Sequence, residues 1–307
     1  MTVTKLAGGL ADDLLGNTVL ASTAPLVVAP AMHTEMWANA ATAANIETLR
    51  SRGVTVVGPA SGQLTGKDIG AGRMSEPDDI VAAALAVARP QDLVGKRVLV
   101  TAGGTREPLD PVRFIGNRSS GRQGIAIAAA AAMRGASVTL IGANLEAPVP
   151  ASVALESVSS TTELEAAVTR AAGDADVIVM AAAVADYCPE AVEDGKIKKE
   201  STGDRMSLSL VRNPDILAGL TAARRPDQTI IGFGAETEPD PEKLLQLGRE
   251  KIARKGCDYL VLNTVGWSQG FATEGNSVVV INSGGVIVSE ATGSKSSVAD
   301  RILDLLA

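Results

Sequence analysis

Apolar and polar positions recur along this chain in a fixed order: a short aliphatic or β-branched run, a turn rich in Gly or Ser, then a segment with apolar residues three or four apart. From Lys96 onward the order is regular. Strands are expected at Arg97 to Thr101, Ser137 to Ile141, Val177 to Ala181, Thr229 to Gly232 and Tyr259 to Leu262. Helices are expected up to Arg134, near Thr161 to Ala172, near Pro214 to Ala223 and over Pro241 to Lys255. Tyr187 to Asp204 reads as an irregular polar stretch, Asn276 to Glu290 as a hairpin with a Gly-Gly turn, and Ser296 to Leu306 as a closing helix. Strands separated by crossover helices imply a parallel sheet, so the fold class is α/β, a Rossmann-like doubly wound sheet.

The first ninety residues follow the same rhythm less completely. A helix is expected around Lys5 to Leu15, a strand at Pro25 to Ala29, a helix near Met36 to Arg52, a strand at Val54 to Val57 and a helix near Pro77 to Ala88. Two strands make barely half a doubly wound domain, so this unit reads as the back end of something larger. The polar, Pro-containing link Arg89 to Gly95 separates the two parts, with domains expected at 1–91 and 92–307.

Composition sharpens this picture. The chain has 307 residues, 46% hydrophobic, with only seven Phe, Trp and Tyr, which suits Ala- and Val-rich helices packed on a sheet. Its net charge is −7 with dispersed Lys and Arg, so the footprint of a nucleic-acid binder is missing. Cys188 and Cys257 sit outside any metal-ligand spacing and read as buried thiols of a reducing cytoplasm. No long apolar membrane segment or leader is read. With His33 as the single histidine, Ser-His-Asp and multi-His zinc chemistry are nearly excluded.

The richest stretch runs from Val98-Leu-Val-Thr-Ala-Gly-Gly-Thr-Arg106 to Asn117-Arg-Ser-Ser-Gly121 and the Ala-rich segment up to Arg134. Two Gly turns, Gly103-Gly104 and Ser119-Ser120-Gly121, flank one strand-helix junction. Their backbone N–H groups, the helix dipole, and Arg118 and Arg122 would meet at one spot suited to phosphate, with Ser119 or Ser120 capping the helix. Such turns also arise for purely conformational reasons. Ala102-Gly-Gly-Thr-Arg106 is not the dinucleotide fingerprint, and Val138 to Ala143 ends without a ribose-binding acid. No Tyr is followed four residues on by Lys, and Ser61 to Asp68 fails as a P-loop at both ends.

Thr101 to Gly121, Ala181-Ala-Ala-Val-Ala-Asp-Tyr187, Lys196-Ile-Lys-Lys199, Arg212-Asn-Pro-Asp-Ile216 and Gly232-Phe-Gly-Ala-Glu-Thr237 occur in family order. Together they resemble the phosphopantothenate-cysteine ligase domain of the bifunctional coenzyme A biosynthesis flavoproteins. Lys5 to Leu15, Ala29-Pro-Ala-Met-His33 and Gly72-Arg-Met74 resemble the trailing part of the partner phosphopantothenoylcysteine decarboxylase domain. In that family the decarboxylase histidine and much of the FMN surface lie upstream of this chain's first residue, His33 stands where relatives carry Asn, and the loop near Gly66 to Met74 lacks a cysteine. Met32, His33 and Arg73 then read as a decarboxylase remnant, and decarboxylation by this chain alone is not expected.

The resemblance implies CTP-dependent ligation of L-cysteine to phosphopantothenate through an acyl-cytidylate, with Mg2+ and a homodimer formed through the ligase domain. It assigns Asn117 and Lys196 to catalysis, and Met180, Ala181, Ala182, Asp186, Lys196, Pro214, Asp215, Ile216, Leu217, Phe233, Lys251 and Lys255 to CTP. Asp186 contacts either nucleotide or metal. Pro214 is expected in the first turn of its helix, and Lys251 and Lys255, four apart, share one helical face. Two other readings stay open: an FMN-dependent decarboxylase subunit completed by another chain, and a non-catalytic nucleotide-binding module. No nucleic acid or membrane partner is expected.

Overall fold

The computed structural model describes residues 2–64, 69–198, 205–265 and 275–306. Lys199 and much of the loop near Gly66 therefore lie outside the described residues. The chain divides into two compact units, Met1–Pro90 and Gln91–Ala307.

In the first unit the helix expected over Lys5 to Leu15 is two helices, α1 (Thr2–Gly8) and α2 (Leu14–Ala21). Gly9 takes a positive φ of 67°, and the Asp13 side chain accepts from Gly16 N at 2.7 Å, starting a new helix where a continuous one would leave that N–H unmet. Asn39 splits the next helix likewise, capping Ala41 N, which gives α3 (Thr34–Ala38) and α4 (Ala40–Ser51). Strands β1 (Val27–Val28) and β2 (Thr55–Val56) pair in parallel. An antiparallel hairpin, β3 (Ala60–Gln63) with β4 (Ile69–Arg73), was not signalled, because its Gly- and Ser-rich strands carry no alternation. Helix α5 spans Pro77–Ala88 as its proline start predicts. Val3, Ala7, Ile46 and Leu49 form the core.

The second unit confirms the doubly wound reading. Strands β5 (Arg97–Gly103), β8 (Ser137–Ala143), β9 (Ala154–Val158), β10 (Val177–Met180), β13 (Thr229–Glu236), β14 (Tyr259–Thr264), β15 (Gly275–Asn282) and β16 (Ile287–Ser294) form one sheet in the order 16-15-14-13-10-5-8-9. Six are parallel; the β15–β16 hairpin is antiparallel at one edge. Strand β9 escaped sequence reading because Ala-Leu-Glu-Ser-Val at the opposite edge buries little. Two short ribbons, β6 (Arg106–Pro108) with β7 (Phe114–Gly116) and β11 (Tyr187–Pro189) with β12 (Leu210–Arg212), stand outside the sheet.

Alternation along each strand builds two cores. Val98, Val100, Val138, Leu140 and Val179 face helices α6 (Arg122–Met133) and α10 (Lys295–Leu303). Leu99, Ile141, Ile178, Ile230 and Leu260 face α7 (Thr161–Ala172), α8 (Ile216–Ala223) and α9 (Pro241–Lys255). Strand order reverses between β5 and β10, and in such sheets the crevice beyond the carboxyl ends of those strands is where ligands bind. No described helix is long and apolar enough to cross a membrane.

One buried cation ties the ends of this unit together. Arg134, 2% exposed, donates through Nε to Asp92 Oδ1 (2.8 Å) and through Nη1 to Asp304 Oδ1 (2.9 Å) and the Asp300 carbonyl (3.2 Å). Arg134→Met should cost roughly 2 kcal/mol, less than a fully buried pair because both carboxylates keep some contact with water. The Arg134 hydrogen bond holds the Asp92 carboxyl below its ordinary value. The pair's contribution is therefore complete above about pH 4 and lost as the pH falls through the lowered value. Urea unfolding at pH 7 and pH 3 should show a smaller acid loss in the variant than in the parent; equal losses would contradict this.

Candidate functional site

The switch point opens into a cleft of about 1200 Å³. Its floor is the loop after β10, Ala181 to Asp186, and the surrounding backbone fixes that loop from several sides. Thr101 Oγ accepts from Ala182 N (3.1 Å), the Gly103 carbonyl from Ala183 N (2.8 Å), and Thr105 Oγ from Ala185 N (2.9 Å). Asn117 Nδ2 donates to the Val184 carbonyl and Asn213 Nδ2 to the Ala185 carbonyl, both at 2.9 Å. Beneath lies Glu107, 3% exposed, whose Oε1 accepts from Thr161 N (3.0 Å) and Thr161 Oγ (2.7 Å). Sequence reading gave no role to Thr105, Glu107, Thr161 and Asn213; the first two and Asn213 lie inside the family motifs, but only the folded sheet shows that they meet Thr161 beneath the loop.

One wall is the turn Asn117 to Gly121 running into α6. Gly121, at φ 78°, is the N-cap, and no side chain caps the helix, so the expected cap from Ser119 or Ser120 is not formed. Both serines line the cleft instead. Gly103 and Gly104 do not line it. A Cβ on Gly103 would stand 1.9 Å from the Ala143 carbonyl oxygen, and one on Gly104 would stand 2.7 Å from that of Asn117. The Gly-Gly turn thus lets three backbone segments cross, which is its conformational use.

The opposite wall is Arg212 to Leu217, Phe233 and one face of α9. Pro214 precedes the helix rather than entering its first turn; Asp215 is the N-cap, accepting from Ala218 N at 3.1 Å. Lys251 and Lys255 do share a face and both line the cleft, together with Arg254. Each lysine is already paired, Lys251 with Glu236 (2.6 Å) and Lys255 with Asp215. Burial works to raise the Asp215 carboxyl, but Lys255 and the Ala218 N–H hold it below the ordinary range. Four arginines and three lysines line the cleft against two aspartates, Asp186 and Asp215, so a protein of net charge −7 concentrates positive charge here. Asn263 Oδ1, buried at the cleft, has no hydrogen-bond partner among the described residues.

Met180, Ala181, Ala182, Asp186, Pro214, Asp215, Ile216, Leu217, Phe233, Lys251, Lys255 and Asn117 all meet at this cleft. Lys196 does not. It lines a second cavity of about 540 Å³ beside Lys198 and Glu190. The cause is a clamp: buried Asp110 Oδ2 accepts from Ile197 N (3.1 Å), while Arg113 Nη2 donates to the Ile197 carbonyl (2.8 Å) and Arg113 Nε to Asp110 (2.9 Å). Arg113 also holds the Asp110 carboxyl far below the usual carboxylate range.

In the first unit Met32 N donates to the Gly72 carbonyl (2.9 Å), bringing the Met32–His33 and Gly72–Arg73 segments together. Arg73 is paired with Glu76 at 2.6 Å, and Thr34 Oγ is buried without a partner among the described residues. An arginine already paired and one orphan hydroxyl do not compose a cradle for the FMN phosphate. Among the described residues no group of three or more His, Cys, Asp and Glu side chains could hold a metal.

Residues 93–307 match the family described as DNA/pantothenate metabolism flavoprotein C-terminal domain, and residues 1–89 the family described as Flavoprotein. Coenzyme A biosynthesis bifunctional protein CoaBC of Mycobacterium tuberculosis is 48% identical over 98% of this chain and 75% of that protein. Its Escherichia coli counterpart is 43% identical over 90% and 68%. The crystal structure of a CoaBC C-terminal domain overlays with a TM-score of 0.58 at 33% identity, covering 70% of this chain and 96% of that one. A Cab2 variant solved in complex with phosphopantothenate-cysteine shares the fold, with a TM-score of 0.56 at 18% identity. By identity and by the order of both matched domains, the chain belongs to the family of coenzyme A biosynthesis bifunctional proteins CoaBC.

Proposed function

We propose that the cleft ligates L-cysteine to phosphopantothenate at the expense of CTP. The single observation that carries this reading is a cationic cleft at the sheet's switch point whose floor is pinned by Asn117. The acid's carboxylate attacks the α-phosphate of CTP, forming an acyl-cytidylate and releasing pyrophosphate. The cysteine amine then attacks the acyl carbon, forming the amide and expelling CMP. Both steps bring anions together, so arginines, lysines and backbone donors are the groups required, with no strong base.

Phe233 and the Pro214–Leu217 segment are assigned to the nucleoside, and Lys251 and Lys255 to nucleotide oxygens once their present carboxylate partners yield. Mg2+, when bound, would neutralise phosphate charge; Asp186 is assigned either to it, with the remaining oxygens from the nucleotide, or to the nucleotide directly. Lys196, on the segment after β11, would meet the phosphates only once that segment leaves the Asp110–Arg113 clamp, and Lys196→Ala should then raise the KM for CTP about tenfold. We place the enzyme in the cytoplasm as a homodimer. Phe114, Leu210 and Val211 on the two ribbons, with Val112 in the turn between β6 and β7, leave apolar surface exposed, as a self-association face would.

The test is pyrophosphate release with phosphopantothenate, Mg2+ and either CTP or ATP. Release that requires phosphopantothenate, prefers CTP and becomes continuous only with cysteine is the expected result; release indifferent to phosphopantothenate would refute the reading. The match of residues 1–89 to a flavoprotein family supports a second reading, an FMN-dependent decarboxylase subunit whose flavin site is completed by another chain. A purified chain carrying flavin absorbance would favour it.

A further inference from the structure

The carboxyl half of the cleft floor hangs on a buried polar group to which the ligase reading gives no task. Ala183 is held by main chain on both sides, its N–H donating to the Gly103 carbonyl (2.8 Å) and its carbonyl accepting from Thr105 N (3.1 Å). Ala185 is held by side chains. Its N–H donates to Thr105 Oγ and its carbonyl accepts from Asn213 Nδ2, both at 2.9 Å. Asn213 N also donates to the Asp186 carbonyl (2.9 Å), so the residue before Pro214 grips both peptides that flank Asp186.

Both side chains converge on one hydroxyl. Thr161 Oγ, fully buried on the first residue of α7, stands 3.1 Å from Thr105 Oγ, 3.3 Å from Asn213 Nδ2 and 2.7 Å from Glu107 Oε1. A hydroxyl has one proton and two lone pairs. Glu107 Oε1 is the shortest of the three contacts and can only accept, so it takes the Thr161 proton. Thr105 must then donate to Thr161 Oγ, and Asn213 fills the second lone pair. With its own proton committed, Thr105 meets the Ala185 N–H only as an acceptor. The relay therefore has a fixed direction, from the floor to Glu107. Glu107 is anchored in turn: Thr161 N, the first N–H of α7, donates to it at 3.0 Å with the helix dipole behind.

We propose that Glu107 and Thr161 are positioning residues, which act through Thr105 and Asn213 to fix the backbone on either side of Asp186 and hold its carboxylate in place against the Pro214–Leu217 segment. The inference rests on the ligase reading for what Asp186 does in turnover. Neither Glu107 nor Thr161 lines the cleft, so their effect on the reaction passes through the loop. No bond is made or broken in the relay; it sets geometry, and geometry at a reacting centre is worth rate.

The test compares Thr161→Val, which deletes the hydroxyl at nearly constant volume, with Thr161→Ser, which keeps it, and with Glu107→Gln. Two quantities are read on the full chain: amide hydrogen exchange along the floor loop by NMR, and steady-state pyrophosphate release. In Thr161→Val the Ala185 amide should exchange about tenfold faster, while the Ala183 amide keeps its parental rate. The kcat should fall about tenfold, with the KM values for CTP and phosphopantothenate within about threefold of the parent. Thr161→Ser should restore both quantities, and Glu107→Gln should shift both in the same direction by less. A merely structural role predicts instead that Ala183 and Ala185 speed up together as the sheet loosens. That result would overturn the relay, as would unchanged exchange at Ala185 in Thr161→Val, or faster exchange there with kcat intact. A parent that releases no pyrophosphate defeats the ligase reading and not the relay: acceleration confined to Ala185 still supports it, and its absence refutes it.

Discussion

Asn117→Ala should cut pyrophosphate release about 10²-fold, the order expected when the loop that positions the reactants is displaced. Its Nδ2 holds the Val184 carbonyl in the middle of the loop that floors the cleft. Thr101, Gly103 and Thr105 fix the neighbouring N–H groups of that loop. Losing the amide frees the Val184 carbonyl, on the loop where the proposed reaction would bring acid and nucleotide together. The side chain is solvent-exposed, so water can take over the carbonyl and the fold should lose less than about 1 kcal/mol. The signature is a collapsed kcat in a protein that unfolds at nearly the parental urea concentration. Activity within about threefold of the parent would remove Asn117 from the reaction.

Gly103→Ala should damage the fold rather than the chemistry. Gly103 has φ 88°, and a Cβ there would stand 1.9 Å from the Ala143 carbonyl oxygen, the acceptor for Gly104 N. Relief requires β5 and β8 to part at their buried ends, where Thr101, Ala102 and Gly103 pair with Ile141, Gly142 and Ala143. A left-handed alanine and a backbone collision together should cost roughly 3 kcal/mol or more. At about 2–4 °C per kcal/mol for a unit of this size, the melting temperature should fall by at least 6 °C. Differential scanning calorimetry checks this, and an unchanged transition would mean the strands can separate at no cost. A phosphate-binding role alone predicts weaker nucleotide binding with stability intact.

What could be read from the sequence follows from what each signal depends on. Helices α5, α7 and α9 have the expected bounds because proline starts, a Ser160–Glu163 capping box and Gly256 at a left-handed end are local signals. The buried strands were legible as aliphatic runs. Edge strand β9 and the ribbons were not, since they bury too little to show a pattern. The cleft residues were found through motifs near β5, β10 and β13. Lys295 carries no motif and joins the site only when α10 packs on α6 from 172 residues away. Lys196 shows the opposite failure: its motif is visible, but the Asp110–Arg113 clamp carries its segment to another cavity.

The most direct test of the central claim uses phosphopantothenate labelled with 18O in its carboxylate, turned over with CTP and cysteine. If the carboxylate attacks the α-phosphate, one 18O must leave with the nucleotide, and mass spectrometry of the CMP should find it there. Unlabelled CMP, with the departing 18O found instead in a released phosphate or in water, would contradict an acyl-cytidylate and with it this account of the cleft.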